Sequence, residues 1–479
     1  MGVKRNFVYS SILTLSNYLF PLITYPYVSR VLGVTNIGIC GFVDSIIQYF
    51  ILLSTLGVMT VGIREIAADR NDSNALRKTF NSIFVINGIA TLLVVCILLL
   101  LIHAVPQLYI HKSLLYIGVA KIVGNFLLIE WLFRGLEDFK YITYRALIVK
   151  VLYVISVFIF VRSSNDIANY YFLLSITVLL NAVINLKYSH RFVRFSFKSL
   201  ALGKYVKPII VLGLYGVITS MYTTFNVTYL GFVASNDEVG YYSTAIKLHT
   251  LILAFYTAFT GVMLPKMSAL LAENKIDEFK DKITKSFDVL IALAIPLLLF
   301  CVVFAVDIVD AVAGPGYEGA YKPTMIVMPL ILIIGCNQIF IIQILTPLKQ
   351  DKAILRNSMV GASIGIVLNI LLVKDLGAIG SSIVWLISES SIFIISCYSV
   401  YKTLHHIFPY HSVMKNIFSY IPMFGIAILL CIYISPSFCR LVVAFLSIQI
   451  YAILNQKLYL RNETLLQICN SLTNKQKNE

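Results

Sequence analysis

Three lysines stand inside stretches that are otherwise apolar: Lys121, Lys150 and Lys247. A charge at the centre of a bilayer costs about 3 kcal/mol on insertion scales, so each must face a wet cavity or a partner. No carboxylate close by in the chain neutralises any of the three. Cations so placed suit one chemistry, the compensation of an anion that has lost its water. Lys121 shares a helical face with Asn125, and Lys247 lies on the stripe Ser243, Lys247, Thr250, Ala254. Asp44 shares a face with Gln48 and Thr55. Asn17 follows Ser10 and Thr14 and precedes Thr24, and Asn226 follows Thr219 and Thr223. For the amides, hydroxyls and glycines the plainer reading is interhelical hydrogen bonding and close packing. For the lysines a hydrated cavity is the better one. Glu389 lies mid-span in Ser-Glu-Ser-Ser with no basic residue within ten positions. It is either a protonated, hydrogen-bonded group or a carrier of protons.

The elements that must position these groups follow from composition. The chain has 479 residues, 59% hydrophobic and only 13% charged, with a mean hydropathy of +0.85. A water-soluble fold cannot bury that much apolar surface. Fourteen stretches between residues 8 and 457 approach the 20 or so apolar residues that a spanning helix needs. The fold class is therefore an all-α polytopic membrane protein. The N-terminal run is too long for a signal h-region and leads into further spans. The net charge of +15 would suggest nucleic acid in a soluble protein. Here it reflects basic cytoplasmic loops, and no nucleic-acid partner is expected. With the N-terminus inside, 29 of the 38 Lys and Arg fall in the termini and loops of that side, and six, Arg30 and Arg440 among them, on the other. That alternation sets both termini in the cytoplasm.

The loops are short and hold no inserted domain. The segment 187–208 is basic and aromatic, which predicts an interfacial amphipathic helix between two halves. A weak repeat supports the halves: residues 38–45 align with 240–247 in hydropathy order, and Arg64 then matches Lys266. An even number of spans per half makes the repeats parallel, with a binding site near mid-membrane. The division reads as a six-helix lobe over 1–188, a cytoplasmic linker over 189–208 and a second lobe over 209–403. Two extra helices over 404–460 and a cytoplasmic tail over 461–479 complete it. Glu130 precedes Arg134 by four residues, the favourable order for a helical ion pair. Metal ligation, cofactors and catalysis find no support: HExxH, P-loop and CxxC patterns are absent. His405, His406 and His411 read as solvated loop residues, and Cys431 and Cys439 flank one short turn.

Several motifs carry a resemblance. Ser29-Arg30-Val31-Leu32-Gly33 is followed by Gly38-Ile39-Cys40-Gly41-Phe42. Gly62-Ile63-Arg64-Glu65-Ile66-Ala67 follows the second stretch, and Glu130-Trp131-Leu132-Phe133-Arg134-Gly135 the fourth. Val239-Gly240-Tyr241-Tyr242-Ser243 opens the eighth, and Leu264-Pro265-Lys266 closes it. In order and spacing these resemble the O-antigen and capsule repeat-unit flippases of the multidrug/oligosaccharidyl-lipid/polysaccharide exporter superfamily. The resemblance implies two six-helix lobes, pseudo-two-fold related, around a central cavity that opens alternately to each side of the bacterial inner membrane. It implies transport of an undecaprenyl-pyrophosphate-linked glycan for O-antigen, capsule or exopolysaccharide, with membrane lipid, polymerase and chain-length proteins as partners. Arg30, Lys121, Lys150 and Lys247, with Asn17, Asp44, Asn125 and Asn226, are then candidates for the cavity. Arg64, Arg134 and Lys266 are candidates for a cytoplasmic gate, and Glu389 for proton or sodium coupling. The two extra helices resemble those of the lipid II branch. Being nearly bare of polar groups, they are expected at the periphery. The alternatives are a drug/cation antiporter of the same superfamily, which would favour acidic cavity residues, and a repeat-unit polymerase, which would favour a large outer loop.

Overall fold

A bilayer offers backbone groups no solvent partner, so a chain this apolar closes its hydrogen bonds within helices. The computed structural model describes residues 3–196, 200–220, 224–404, 408, 410–435 and 438–460, and among them no strand occurs. Ten segments among the described residues are long and apolar enough to cross a membrane. Two are far longer than a bilayer requires: Val8–Asp69 has 62 residues and Asp351–Leu404 has 54. Both contain a break. Gly33 (φ 76°, ψ 168°) interrupts the helix Val3–Thr55, and Gly377 (φ 54°, ψ −130°) interrupts Lys374–Leu404. Only glycine adopts such angles without steric cost. At Gly377 a side chain would also collide with Glu238. Each long segment thus holds two of the stretches read from sequence. The stretches at 209–231 and 241–264 lie in Leu202–Ser220, Thr224–Val233 and Asn236–Ala272 and are not among the ten.

The chain divides into two compact units, Met1–Ser243 with Asn369–Gly377, and Thr244–Leu368 with Ala378–Glu479. In the first, two of the sequence motifs pack on each other. The helix Val58–Asp69 meets the short helix Glu130–Gly135, with Gly62 against Trp131 and Gly135 against Ile66. A Cβ at Gly62 would sit 2.7 Å from the indole, so nothing larger fits. Phe80, Phe84 and Phe195 complete this aromatic core, with Phe80 5.4 Å from Trp131. The expected Glu130–Arg134 pair is present at 3.2 Å. Glu130 also binds Arg145 at 2.6 Å, and that guanidinium side chain is only 3% exposed. Glu130→Ala should therefore destabilise the chain by about 3–5 kcal/mol, since it leaves a buried charge facing little but the Asn181 carbonyl. Thermal unfolding of the detergent-solubilised protein measures this, and an unshifted midpoint would show that Arg145 finds water instead.

The segment after Ser189 differs from the expectation of an interfacial helix. Residues 193–196 are not helical. They run back along the first unit, with Val193 and Phe195 in its core. Side chains satisfy the freed backbone. Asn81 donates to the Arg194 carbonyl at 3.2 Å and accepts from the Ser196 amide at 3.0 Å, and Ser82 accepts from the Ala201 amide at 2.9 Å. Amide and hydroxyl brackets of this kind replace the helical ladder.

In the second unit the helix Ile276–Val303 is the most enclosed, with 56% of its apolar window buried. The last two helices, Ile421–Tyr433 and Phe438–Leu454, correct the view of them as nearly bare of polar groups. Their outer rows do face lipid, as Ile432 and Ile453 are 68% and 65% exposed. Their inner face carries Arg440, which clasps Asp307 through Nη2 at 2.6 and 2.7 Å and Nε at 3.1 Å. Its Nη1 donates to the Ile434 and Cys431 carbonyls at 3.0 and 3.3 Å. At the other end Gln456 donates to Asn416 and Asn455 to Ser419, both at 2.8 Å. Cys431 and Cys439 are free thiols. His405, His406 and the tail 461–479 lie outside the described residues.

Candidate functional site

The first unit resolves the problem of Lys121. The helix Lys112–Leu127 packs closely along Ile167–Ser189 through Gly124, and against the first helix through Gly118, where a Cβ would press on Ile47. That approach brings the Lys121 ammonium onto the Asp44 carboxylate. The buried Tyr171 donates its hydroxyl to the same carboxylate at 3.3 Å. Asp44 keeps 43% of its side-chain surface exposed against 17% for Lys121. The pair is thus sheltered on its cationic side and open on its anionic one. Asp44 is the missing counter-ion, 77 residues away. Asn125 makes no side-chain hydrogen bond among the described residues.

Lys150 is held differently. Its ammonium donates to Ser16 Oγ and Asn17 Oδ1, both at 2.6 Å, with the Phe20 ring 5.8 Å away. Neutral oxygens share the proton positions without cancelling the charge. Arg30 lies just before the Gly33 break and donates to the Pro26 carbonyl at 2.7 Å. Asn226 accepts from Asn369 at 2.6 Å and donates to the Tyr242 hydroxyl at 3.2 Å. This amide pair is fully buried, which is the interhelical hydrogen bonding expected of such residues. A π-helical turn over Asn369–Val373 delivers Asn369 to it.

Of the three gate candidates, Arg64 and Arg134 belong to the first unit and are tied to carboxylates. Arg64 meets Glu65 at 2.9 Å, and Glu65 also holds Lys204 at 3.3 Å. The Tyr205 hydroxyl, and after it Glu65, raise the Lys204 pKa above its ordinary value. Lys266 belongs to the second unit and is exposed. Lys247 is half-buried in the second unit, on the helix Asn236–Ala272.

Glu389 is 7% exposed. Asn337 donates to its Oε2 at 3.1 Å and to its backbone carbonyl at 3.3 Å. No Lys, Arg or His lies within ion-pair distance among the described residues. One turn earlier Trp385 packs its indole on the His249 ring, centroids 4.9 Å apart. A carboxyl so enclosed calls for hydrogen-bond partners or a bound cation. The sequence reading missed Arg145 and the Arg440–Asp307 clasp. Each partner lies on a different helix, so no periodicity signals them. The one available hint was a carboxylate, Asp307, at the end of a long apolar run.

Residues 3–271 match the family model described as polysaccharide biosynthesis protein. The chain belongs to that family. Among curated relatives, the putative O-antigen transporter of Escherichia coli (strain K12) is 25% identical over 393 residues, covering 81% of this chain and 94% of that protein. Among solved structures, the lipid II flippase MurJ in an inward closed conformation superposes with a TM-score of 0.80 at 15% identity, covering 94% of this chain and 98% of that one. An inward-facing multidrug resistance transporter of the MATE family gives a TM-score of 0.61 at 14% identity, covering 82% and 99%. The resemblance to O-antigen repeat-unit flippases is thereby borne out, and the chain is a multi-pass membrane protein. This member of the family carries its candidate cations in both units: Lys121 and Lys150 in the first, Lys247 in the second.

Proposed function

We propose that the chain is a flippase for undecaprenyl-pyrophosphate-linked oligosaccharide repeat units, serving surface polysaccharide assembly in the bacterial inner membrane. The observation that carries this reading is the Lys121–Asp44 pair within membrane-spanning helices, an ammonium whose counter-ion remains open to exchange. A glycan-pyrophosphate head cannot cross hydrocarbon unaided, and cations offset its desolvation. Its polyprenyl tail stays in lipid. The named function of the E. coli relative, an O-antigen transporter, supports the same substrate class. A drug/cation antiporter would want unmatched carboxylates lining its cavity; Asp44 already has its lysine, which leaves Glu389 as the group that reading would have to use. The reading includes fourteen spans in two lobes with both termini cytoplasmic, transport by alternating access without catalysis, and polymerase and chain-length proteins as downstream partners. An inside-negative potential favours outward movement of an anion by about 2.3 kcal/mol per charge per 100 mV.

Deletion of the gene, followed by assay of lipid-linked repeat units on each leaflet, tests the reading. Accumulation on the inner leaflet is the expected result; unpolymerised units outside would assign the chain to polymerisation instead. Glu389 is the coupling group in this scheme. Glu389→Gln should keep the Asn337 contact and the fold while abolishing the dependence of export on an imposed proton or sodium gradient. Export that still responds to either gradient in that variant removes Glu389 from the coupling step.

A further inference from the structure

A recess of about 840 Å³ opens in the first unit between the N-terminal helix at Asn6, the turn at Arg70, the segment 136–144, and the end of the helix Ile167–Ser189 with Phe192 after it. Its lining mixes charges of both signs with aromatic rings. Arg70 and Lys140 supply two positive charges, Glu137 and Asp138 two negative ones, so the formal sum is zero. The lining therefore offers a phosphate or an anionic lipid head as many repelling charges as attracting ones. A neutral polyol gains both fixed donors and fixed acceptors, the mix that orients a ligand in a pocket.

The parts are held in place. Glu137 has a left-handed backbone (φ 61°), a strained conformation for a non-glycine residue that clusters at binding sites. It meets Arg70 at 2.8 Å. Asp138 accepts from the Tyr188 hydroxyl at 2.9 Å and caps the Tyr141 amide at 3.3 Å. Tyr141 and Tyr188 stack at 3.7 Å and 16°, and Arg191 covers Tyr188 at 5.0 Å. Tyr188 is therefore held by a stacked ring, a guanidinium and a carboxylate. Tyr144 is the ring left open, 54% exposed and only tilted against Tyr9 at 6.0 Å. Asn6 is 8% exposed, and its Oδ1 accepts no hydrogen bond from the described residues. A buried acceptor without a donor calls for one from a ligand or water.

We infer that this recess binds a neutral pyranose of the glycan, its C–H face on Tyr144 and its hydroxyls on Glu137, Arg70, Lys140 and Asn6. An aromatic ring with a fixed polar surround suits such an amphipathic ring. The inference rests on the proposed transport of a lipid-linked glycan and adds a sugar-selecting site apart from the lysines that meet the pyrophosphate.

Saturation-transfer NMR on the full chain in detergent micelles tests it, with methyl glycosides of glucose, galactose, N-acetylglucosamine and rhamnose as probes. At least one should show transfer that protein-free micelles lack. Tyr144→Ala and Glu137→Gln should each weaken it about tenfold, with unchanged thermal midpoints, while Tyr144→Phe retains it. Inorganic pyrophosphate and phosphatidylglycerol should not compete. No transfer above the blank, transfer indifferent to both variants, or displacement by phosphatidylglycerol would overturn the inference, the last by making the recess a lipid-head site. Sugar binding without an export defect on gene deletion would instead overturn the transport reading alone.

Discussion

Arg440→Met should lower the thermal midpoint of the solubilised chain at least as far as Glu130→Ala does. The substitution strands Asp307, whose side chain is 3% exposed and which has three guanidinium hydrogen bonds to lose. Removing one partner of a buried ion pair costs about 3–5 kcal/mol, because the other charge keeps its desolvation penalty. The loss also frees the Ile434 and Cys431 carbonyls at the turn between the last two helices. Asp307→Leu combined with Arg440→Met should recover much of the deficit, since two apolar groups of similar volume carry no such penalty. The exposed Lys322→Met serves as the control and should leave the midpoint unchanged. Equal midpoints for the single and double variants would mean that the ion pair is not what holds this turn.

Lys121→Ala should reduce surface glycan on the order of tenfold, a change of about 1.4 kcal/mol in the step it limits, with the protein still reaching the membrane at its normal level. The fold tolerates the change because Asp44 is 43% exposed and can find water or a proton once its partner is gone. Lys247→Ala carries the same expectation for the second unit. Lys121→Arg keeps the charge but replaces a compact ammonium by a planar fork, so partial export is expected. Quantitative immunoblotting of surface polysaccharide against membrane-fraction protein separates transport from accumulation. Normal glycan from both alanine variants would remove cationic head-group binding from the mechanism.

Much of the architecture was legible in the chain because the bilayer acts on composition and loop charge, both local properties. The Glu130–Arg134 pair was equally legible, being four residues apart on one helix. The partners of Lys121, Arg145 and Arg440 were not. Asp44, Glu130 and Asp307 reach them from other helices, and one helix's periodicity says nothing about which neighbour faces it. The segment 193–196 was misread for a related reason. Its basic and aromatic content fits a membrane-surface helix, but Asn81 and Ser82 offer its backbone other partners, and Phe195 gains a core position. The breaks at Gly33 and Gly377 were legible, since each falls in the gap between two apolar stretches that the sequence separates.

The brief return of Asn369–Gly377 to the first unit bears on biogenesis. Domains generally form in the order in which they leave the ribosome. Here the earlier-made half stays incomplete until residue 377 has been translated, because Asn226 must wait for Asn369 and Glu238 for Gly377. A nascent chain stalled after Ser243 would hold Asn226 in the membrane without that amide partner, a species that quality-control proteases should clear faster than one stalled beyond Gly377.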